Sequence, residues 1–302
     1  MRLDELPRSD NVEDRRGAGS GGFPMGRAGG IGIGTIILLG LVGWALGINP
    51  LYLIGGAEIL SRLGGSTQQT QPAPTGPKAE LPSDQTAEFV SAVLGSTEAQ
   101  WKEIFARAGK VYQTPSLVMF FGATNSACGI AQSAMGPFYC PNDQKIYLDT
   151  AFFRDLERRF RGCEVGSKSC QFSQAYVITH EVGHHVQNLL GILPQIQQAQ
   201  RSMDQVEGNQ LQVRVELQAD CLAGVWAHHA EEKWRFLEPG DVEAAIQTAS
   251  AIGDDRLQRR GQGYVVPDAF THGSSEQRVR WFMNGLRSGQ VASCDTFQAA
   301  QL

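Results

Sequence analysis

His180-Glu181-Val182-Gly183-His184 lies inside the stretch 172–190, whose apolar spacing reads as one long helix stopped by Gly191. At 3.6 residues per turn, positions i and i+4 stand on one face a turn apart, so His180 and His184 can grip one divalent ion. Glu181 then sits beside the ion, where it can take a proton from a bound water. His185 is turned about 100° from His184 and reads as a neighbour rather than a ligand. A hydrolytic Zn²⁺ site wants three protein ligands and one open position. The third donor must come from elsewhere in the chain.

Glu216-Leu217-Gln218-Ala219-Asp220 is the candidate. On a second helix Glu216 and Asp220 share a face one i,i+4 step apart. Glu216 would ligate the metal, and Asp220 would accept the outer N–H of a ligand histidine, fixing its tautomer. The 31 residues between His184 and Glu216 leave room for a connector and a returning helix. Flanking Val213, Val215, Leu217, Leu222 and Val225 argue against a merely solvated acidic face, because a buried carboxylate pair needs a cation. His228 and His229, further along, read as surface or packing histidines. His272 precedes Ser274 and Ser275, either of which can cap a helix. It is the candidate for steadying an oxyanion, with Tyr264 as the alternative. Metal binding needs neutral imidazoles, so activity should collapse in acid.

Around these motifs the chain reads as an α+β domain over 84–302. Asp84 caps a helix that breaks at Gly95-Ser96 and resumes through Trp101, Ile104 and Phe105. Strands are expected at 116–121, 127–134 and 145–148, with turns at Gly136-Pro137 and Pro141-Asn142. Helices are expected at 151–160, 194–203, 210–236, 239–260 and 274–288. The strand at 127–134 is a candidate for holding a peptide by backbone pairing, with Gly129 allowing close approach.

Lys and Arg number 26 against 31 Asp and Glu, so no basic footprint suggests nucleic acid. An uncharged stretch runs from Ala28 to Ala57, and its apolar centre, 31–48, is long enough for a bilayer core of about 30 Å. Five arginines precede it and only Arg62 follows before Lys78, which favours a cytoplasmic N-terminus and an exported domain. The charged lead is long for a cleaved signal peptide. The seven glycines between Gly29 and Gly47 suit a membrane helix better than a buried soluble one. The resulting layout is a disordered cytoplasmic segment at 1–28, a single transmembrane anchor at 29–56, a flexible linker at 57–83, and the domain. Gly30/Gly34 and Gly43/Gly47 offer a small-xxx-small face for pairing with a second copy.

All six cysteines lie beyond residue 127. Cys128 with Cys140, Cys163 with Cys170, and Cys221 with Cys294 would staple a hairpin, a short loop and the second motif helix, although six cysteines allow fifteen pairings. Disulfides suit the periplasm or the cell exterior. No Cys-x-x-Cys supports a thiolate zinc site. Cys221, beside Asp220, is the alternative as a catalytic thiol.

Thr179–His185, Glu216–Asp220, Gly136-Pro137-Phe138-Tyr139-Cys140-Pro141 and Ile146-Tyr147-Leu148-Asp149 together resemble the bacterial family named putative neutral zinc metallopeptidase. The likeness extends over nearly the whole chain, from Ser9–Arg16 and the anchor onward. That family is similar to the gluzincin peptidases, which implies a zincin-like domain, Zn²⁺ as cofactor, and peptidase activity on a polypeptide substrate. Thr271–Arg278 is similar to a motif of CAAX prenyl protease relatives, with Gly273 where those carry proline. The leading expectation is a membrane-anchored zinc endopeptidase with Glu181 as general base. A catalytically silent binding module and a zinc amidase acting on cell-wall peptides are the alternatives.

Overall fold

The computed structural model describes residues 1–17, 84–164 and 167–302. The two stretches flanking residues 18–83 belong to one folded unit. Strand β1 (Val12–Asp14) pairs in parallel with β2 (Ser116–Phe120), in register Val12 to Leu117. A separate antiparallel hairpin follows, β3 (Ala123–Ser126) and β4 (Gly129–Gln132). Next come β5 (Phe138–Cys140) and β6 (Lys145–Asp149), completing a sheet ordered β1-β2-β6-β5 with β5 antiparallel at its edge. Alternation along the strands decides what each face meets. Leu117, Met119, Ile146 and Leu148 enter the helical core, whereas Val118, Phe120 and Tyr147 pack with Ala131 and Cys140 on the other side.

The described helices are α1 (Gln85–Arg107), α2 (Ala151–Arg158), α3 (Cys170–Leu189), α4 (Ile192–Gln200), α5 (Gln205–Trp234), α6 (Asp241–Ala251), α7 (Asp254–Gln262) and α8 (Ser275–Ser288). Their starts are written locally. Asp84 accepts from the Ala87 N–H, while Asp204 with Glu207 and Ser274 with Gln277 close reciprocal capping boxes. Helix α5 is the spine: α3 crosses it, and α8 makes the most extensive helix–helix contact in the fold against it. Trp226 from α5 stacks on Phe172 from α3, and Phe236, just beyond α5, packs against both at an angle.

Four expectations from the sequence need correction. Residues 1–17 are not a disordered tail, because a low-apolar segment can be ordered by borrowing a partner's surface. Val12 is buried against β2, Ser9 bonds Ser91 and Glu98 on α1, and Arg16 pairs with Asp14 and Asp84. Gly95-Ser96 does not break α1. A Cβ on Gly95 would lie 2.4 Å from the Pro7 carbonyl oxygen, so this glycine lets the N-terminal segment cross the helix. Residues 127–134 are not one strand: Ala127 and Cys128 form the turn between β3 and β4. The helix expected at 239–260 is likewise two, α6 and α7.

The expected anchor and linker, with the glycine pairs, lie outside the described residues. Among the described residues no helix is long and apolar enough to cross a membrane. The β1–β2 pairing also constrains any anchor. One crossing between residues 18 and 83 would put β1 and β2 on opposite faces of the bilayer, so a single pass with a cytoplasmic N-terminus and an exported domain is incompatible with this sheet. An epitope inserted after Gly17, where a side chain meets nothing within 4 Å, and one after Leu302 should be shielded or accessible together in intact cells. Opposite protection would restore the single crossing.

The α5–α8 contact is backbone against backbone. A Cβ on Gly285 would stand 1.9 Å from the Cys221 carbonyl oxygen, and one on Gly224 2.1 Å from that of Phe282. The Cys221–Cys294 disulfide closes the same junction. Gly285→Ala should therefore cost about 3 kcal/mol or more, beyond the usual overpacking range, seen as a lower midpoint in urea denaturation.

Candidate metal centre and active site

Helix α3 has a small residue where it meets α5. A Cβ added to Gly183 would come within 3.0 Å of the Ala219 backbone, so the two axes approach closely between the motif histidines. Ala219 lies between Glu216 and Asp220, and this crossing carries both carboxylates to the histidine face of α3. His180 Nε2 lies 3.2 Å from Glu216 Oε2, and His184 Nε2 lies 3.4 Å from the same oxygen. Ligands about 2.1 Å from a tetrahedral zinc stand about 3.4 Å apart, so this donor set has the right spacing and chemistry for that ion.

Each imidazole is held by its other nitrogen. His180 Nδ1 meets Asp220 Oδ1 at 2.8 Å, and His184 Nδ1 meets Gln187 Oε1 at 2.9 Å. If those Nδ1 atoms carry the protons, both Nε2 lone pairs face the Glu216 carboxylate, acceptor against acceptor. A shared cation resolves that conflict. Gln187 in turn donates to the Val215 carbonyl and to Gln218 Oε1, and Gln218 donates to the Cys294 carbonyl. Gln212 donates to Glu216 Oε1 at 2.9 Å.

Behind His180, Asp220 is fully buried. It accepts from Arg278 through Nε and Nη2, both at 2.9 Å, and from the Tyr176 hydroxyl at 2.6 Å. Burial alone would raise the Asp220 carboxyl, but the Arg278 charge, then His180, outweigh it and hold the group well below its ordinary range. For His180, burial pulls the imidazole down, and Asp220 and Glu216 overcome this and push it up to about 10. Burial likewise opposes ionisation of Glu216, and the paired histidines drive its pKa well below normal. These opposite directions express one coupling, between the Glu216 carboxylate and the two imidazoles, and a metal would compete with protons for the same Nε2 lone pairs.

Glu181 and His272 line the cleft of about 580 Å³ that opens onto the three donors. Glu181 is only 6% exposed, and no described residue donates a hydrogen bond to it. His272 rides on a loop held by one carboxylate: Asp254 Oδ2 accepts the backbone N–H groups of Thr271, His272 and Gly273 at 2.7, 2.6 and 3.1 Å. His272 Nδ1 lies 3.0 Å from the Thr271 hydroxyl and 3.5 Å from Asp254. Burial disfavours its charged form, but the Asp254 hydrogen bond prevails and raises its pKa. Tyr264 is exposed and does not line the cleft.

Other expected positions fall elsewhere. His185 turns away from the metal donors, bonding the Gln113 carbonyl and the Tyr139 hydroxyl, and so ties α3 to edge strand β5. The strand beside the cleft is β5, not residues 127–134, although Ser133 and Ala134 reach the cleft wall. All six cysteines are paired, 128–140, 163–170 and 221–294, which removes Cys221 as a thiol nucleophile. Tyr176, Gln187, Gln212 and Arg278 went unnoticed in the sequence. A buried carboxylate at 220 does demand a cation, but nothing local says that Arg278, 58 residues on, provides it.

Gly183→Ala leaves every donor in place and forces the α3–α5 crossing open. An overpacking strain of about 1–3 kcal/mol spread across the donor set should weaken zinc binding by about tenfold or more. Titration with chelator-buffered zinc on a variant that stays folded by circular dichroism tests this. Unchanged affinity would mean that the crossing does not set the site.

A model of the family described as "Putative neutral zinc metallopeptidase" matches residues 1–297. The chain is 45% identical over 302 residues to the uncharacterized protein YpfJ of Escherichia coli K12, covering 98% of this chain and 99% of that one. It is 42% identical over 222 residues to the uncharacterized protein Rv2575 of Mycobacterium tuberculosis H37Rv, covering 70% of this chain and 71% of that one. No solved structure matches it. On a match spanning all but its last residues, this chain belongs to the putative neutral zinc metallopeptidase family, whose description implies zinc.

Proposed function

We propose that the protein is a zinc-dependent endopeptidase working outside the reducing cytosol, with His180, His184 and Glu216 as metal ligands and Glu181 as general base. Three disulfides support an oxidising compartment. If the apolar stretch engages a membrane, it does so with both of its ends on one face.

His180, His184 and Glu216 would hold zinc, which would supply Lewis acidity and lower the pKa of water toward about 7. Glu181, on the cleft wall beside the donors, takes the proton of the attacking water and returns it to the leaving amine. Asp220 holds His180 in the tautomer that presents Nε2, and Arg278 and Tyr176 hold Asp220 ionised. His272 has Nδ1 engaged with Thr271 and Asp254, which leaves Nε2 to donate to the developing oxyanion. A polypeptide can lie along the free edge of β5 by strand addition, next to the cleft.

The observation that carries this reading is a carboxylate, Glu181, on the wall of the cleft that opens onto three converging metal-type donors, His180, His184 and Glu216.

Glu181→Gln should keep its zinc, melt at the same temperature or higher, and lose turnover by at least about 100-fold. The assay needs the full chain, because a fragment starting at Asp84 would lack β1. Peptide and peptidoglycan substrates run side by side distinguish an endopeptidase from a cell-wall amidase. If the wild type and the Gln variant cleave alike, the general-base assignment is wrong.

A further inference from the structure

A second group of metal-type donors sits at the far end of α5. His228, His229 and Glu232 bring one ligand atom each within 4.8 Å of one another, away from the cleft. We infer that these three side chains form a second divalent-cation site of the zinc class at the C-terminal end of α5, beside the end of α8.

His228 Nδ1 lies 2.8 Å from the Leu286 carbonyl oxygen, and His229 Nε2 lies 2.8 Å from that of Gly289. A carbonyl only accepts, so both of those ring nitrogens carry hydrogen. In the neutral rings the remaining nitrogens, His228 Nε2 and His229 Nδ1, are therefore bare lone pairs. Both face Glu232, at 3.4 Å from Oε1 and 3.3 Å from Oε2. Three acceptors converge with no protein donor between them at a carboxylate that solvent also reaches, and a cation can bridge all three.

The two His–Glu232 separations are close to the tetrahedral edge of about 3.4 Å, although here each histidine meets a different carboxylate oxygen, whereas His180 and His184 share one oxygen of Glu216. Carbonyl oxygens orient both rings from behind, the arrangement that fixes tautomers in metal sites. The packing is built for this. A Cβ on Gly289, at φ +62°, would lie 2.3 Å from the His228 ring, so glycine there lets the imidazole sit against the end of α8. The ring centroids of the two histidines are 5.2 Å apart and nearly perpendicular. Two imidazoles and one carboxylate, partly open to solvent, suit zinc rather than calcium or magnesium. The rival occupant is solvent, which reaches the Glu232 carboxylate directly.

Metal counting separates the two. Full-length protein equilibrated with zinc at micromolar free concentration and analysed by plasma mass spectrometry should hold about two equivalents. Glu232→Gln, an exposed change that folding tolerates, should hold about one, and so should His228→Gln/His229→Gln. His180→Ala/His184→Ala should also retain about one, and hydrolytic activity should survive Glu232→Gln within about twofold. Zinc should raise the melting temperature of His180→Ala/His184→Ala, and adding Glu232→Gln to it should abolish that rise. One equivalent in the wild type would leave the site to solvent and overturn the proposal. So would two equivalents that persist in both Glu232→Gln and the double histidine variant.

Discussion

Everything at the metal centre depends on how closely α3 crosses α5 at Gly183 and Ala219. An i,i+4 pair of histidines exists on any helix with that spacing, but it needs a third donor on its own side. Glu216 and Asp220 flank Ala219, so the point of closest approach is also the point from which both carboxylates radiate. A side chain at 183 would hold the axes apart and lengthen every donor separation together. The residue inside the metal motif that no chemistry requires is thus the one that sets the geometry.

Such a crossing buries ionisable groups, and burial is the opposing force throughout. An isolated carboxylate as enclosed as Asp220 would protonate rather than stay charged. Arg278 prevents that with two charge-assisted hydrogen bonds, and Tyr176 adds a third. Arg278 is on α8, so the electrostatics of the centre require α8 to lie where it does. Gly224 and Gly285 permit that contact and the 221–294 disulfide secures it. Removing Arg278 would strand a buried charge, which is more costly than never having had the pair. Packing between α5 and α8 and tuning of His180 are therefore one problem solved by one set of contacts.

How much of this was legible follows from distance along the chain. His180, Glu181 and His184 are within five residues, and helix periodicity alone places them. Glu216 and Asp220 could be proposed because a zinc site lacks a third ligand and a buried acidic pair lacks a cation. Arg278, Tyr176 and Gln187 could not, since nothing local distinguishes a buried arginine from a solvated one. Gly95 shows the same limit from the other side. Its composition signals a helix break, whereas its reason is the approach of Pro7, 88 residues earlier. Strand β1 was hidden because three residues rich in charge carry no alternation, and β5 because Gly136-Pro137 reads as a turn.

The N-terminal strand matters beyond completing the sheet. β1 and α1 are neighbours in space, with Arg16 bridging Asp14 and Asp84, so the chain leaves and re-enters the body at nearly one point. Closure entropy rises only as the logarithm of loop length, about 0.6 kcal/mol per doubling, so the body hardly registers how many residues 18–83 contains. It registers only that both ends are present and on one side. The fold thereby fixes a topological parity independent of what the intervening segment does, and the Lys/Arg bias that argues for a single crossing acts on sequence alone. The pairing is not free to give way, because β1 cannot leave without exposing Val12 and the Ser9–Glu98 contact to solvent.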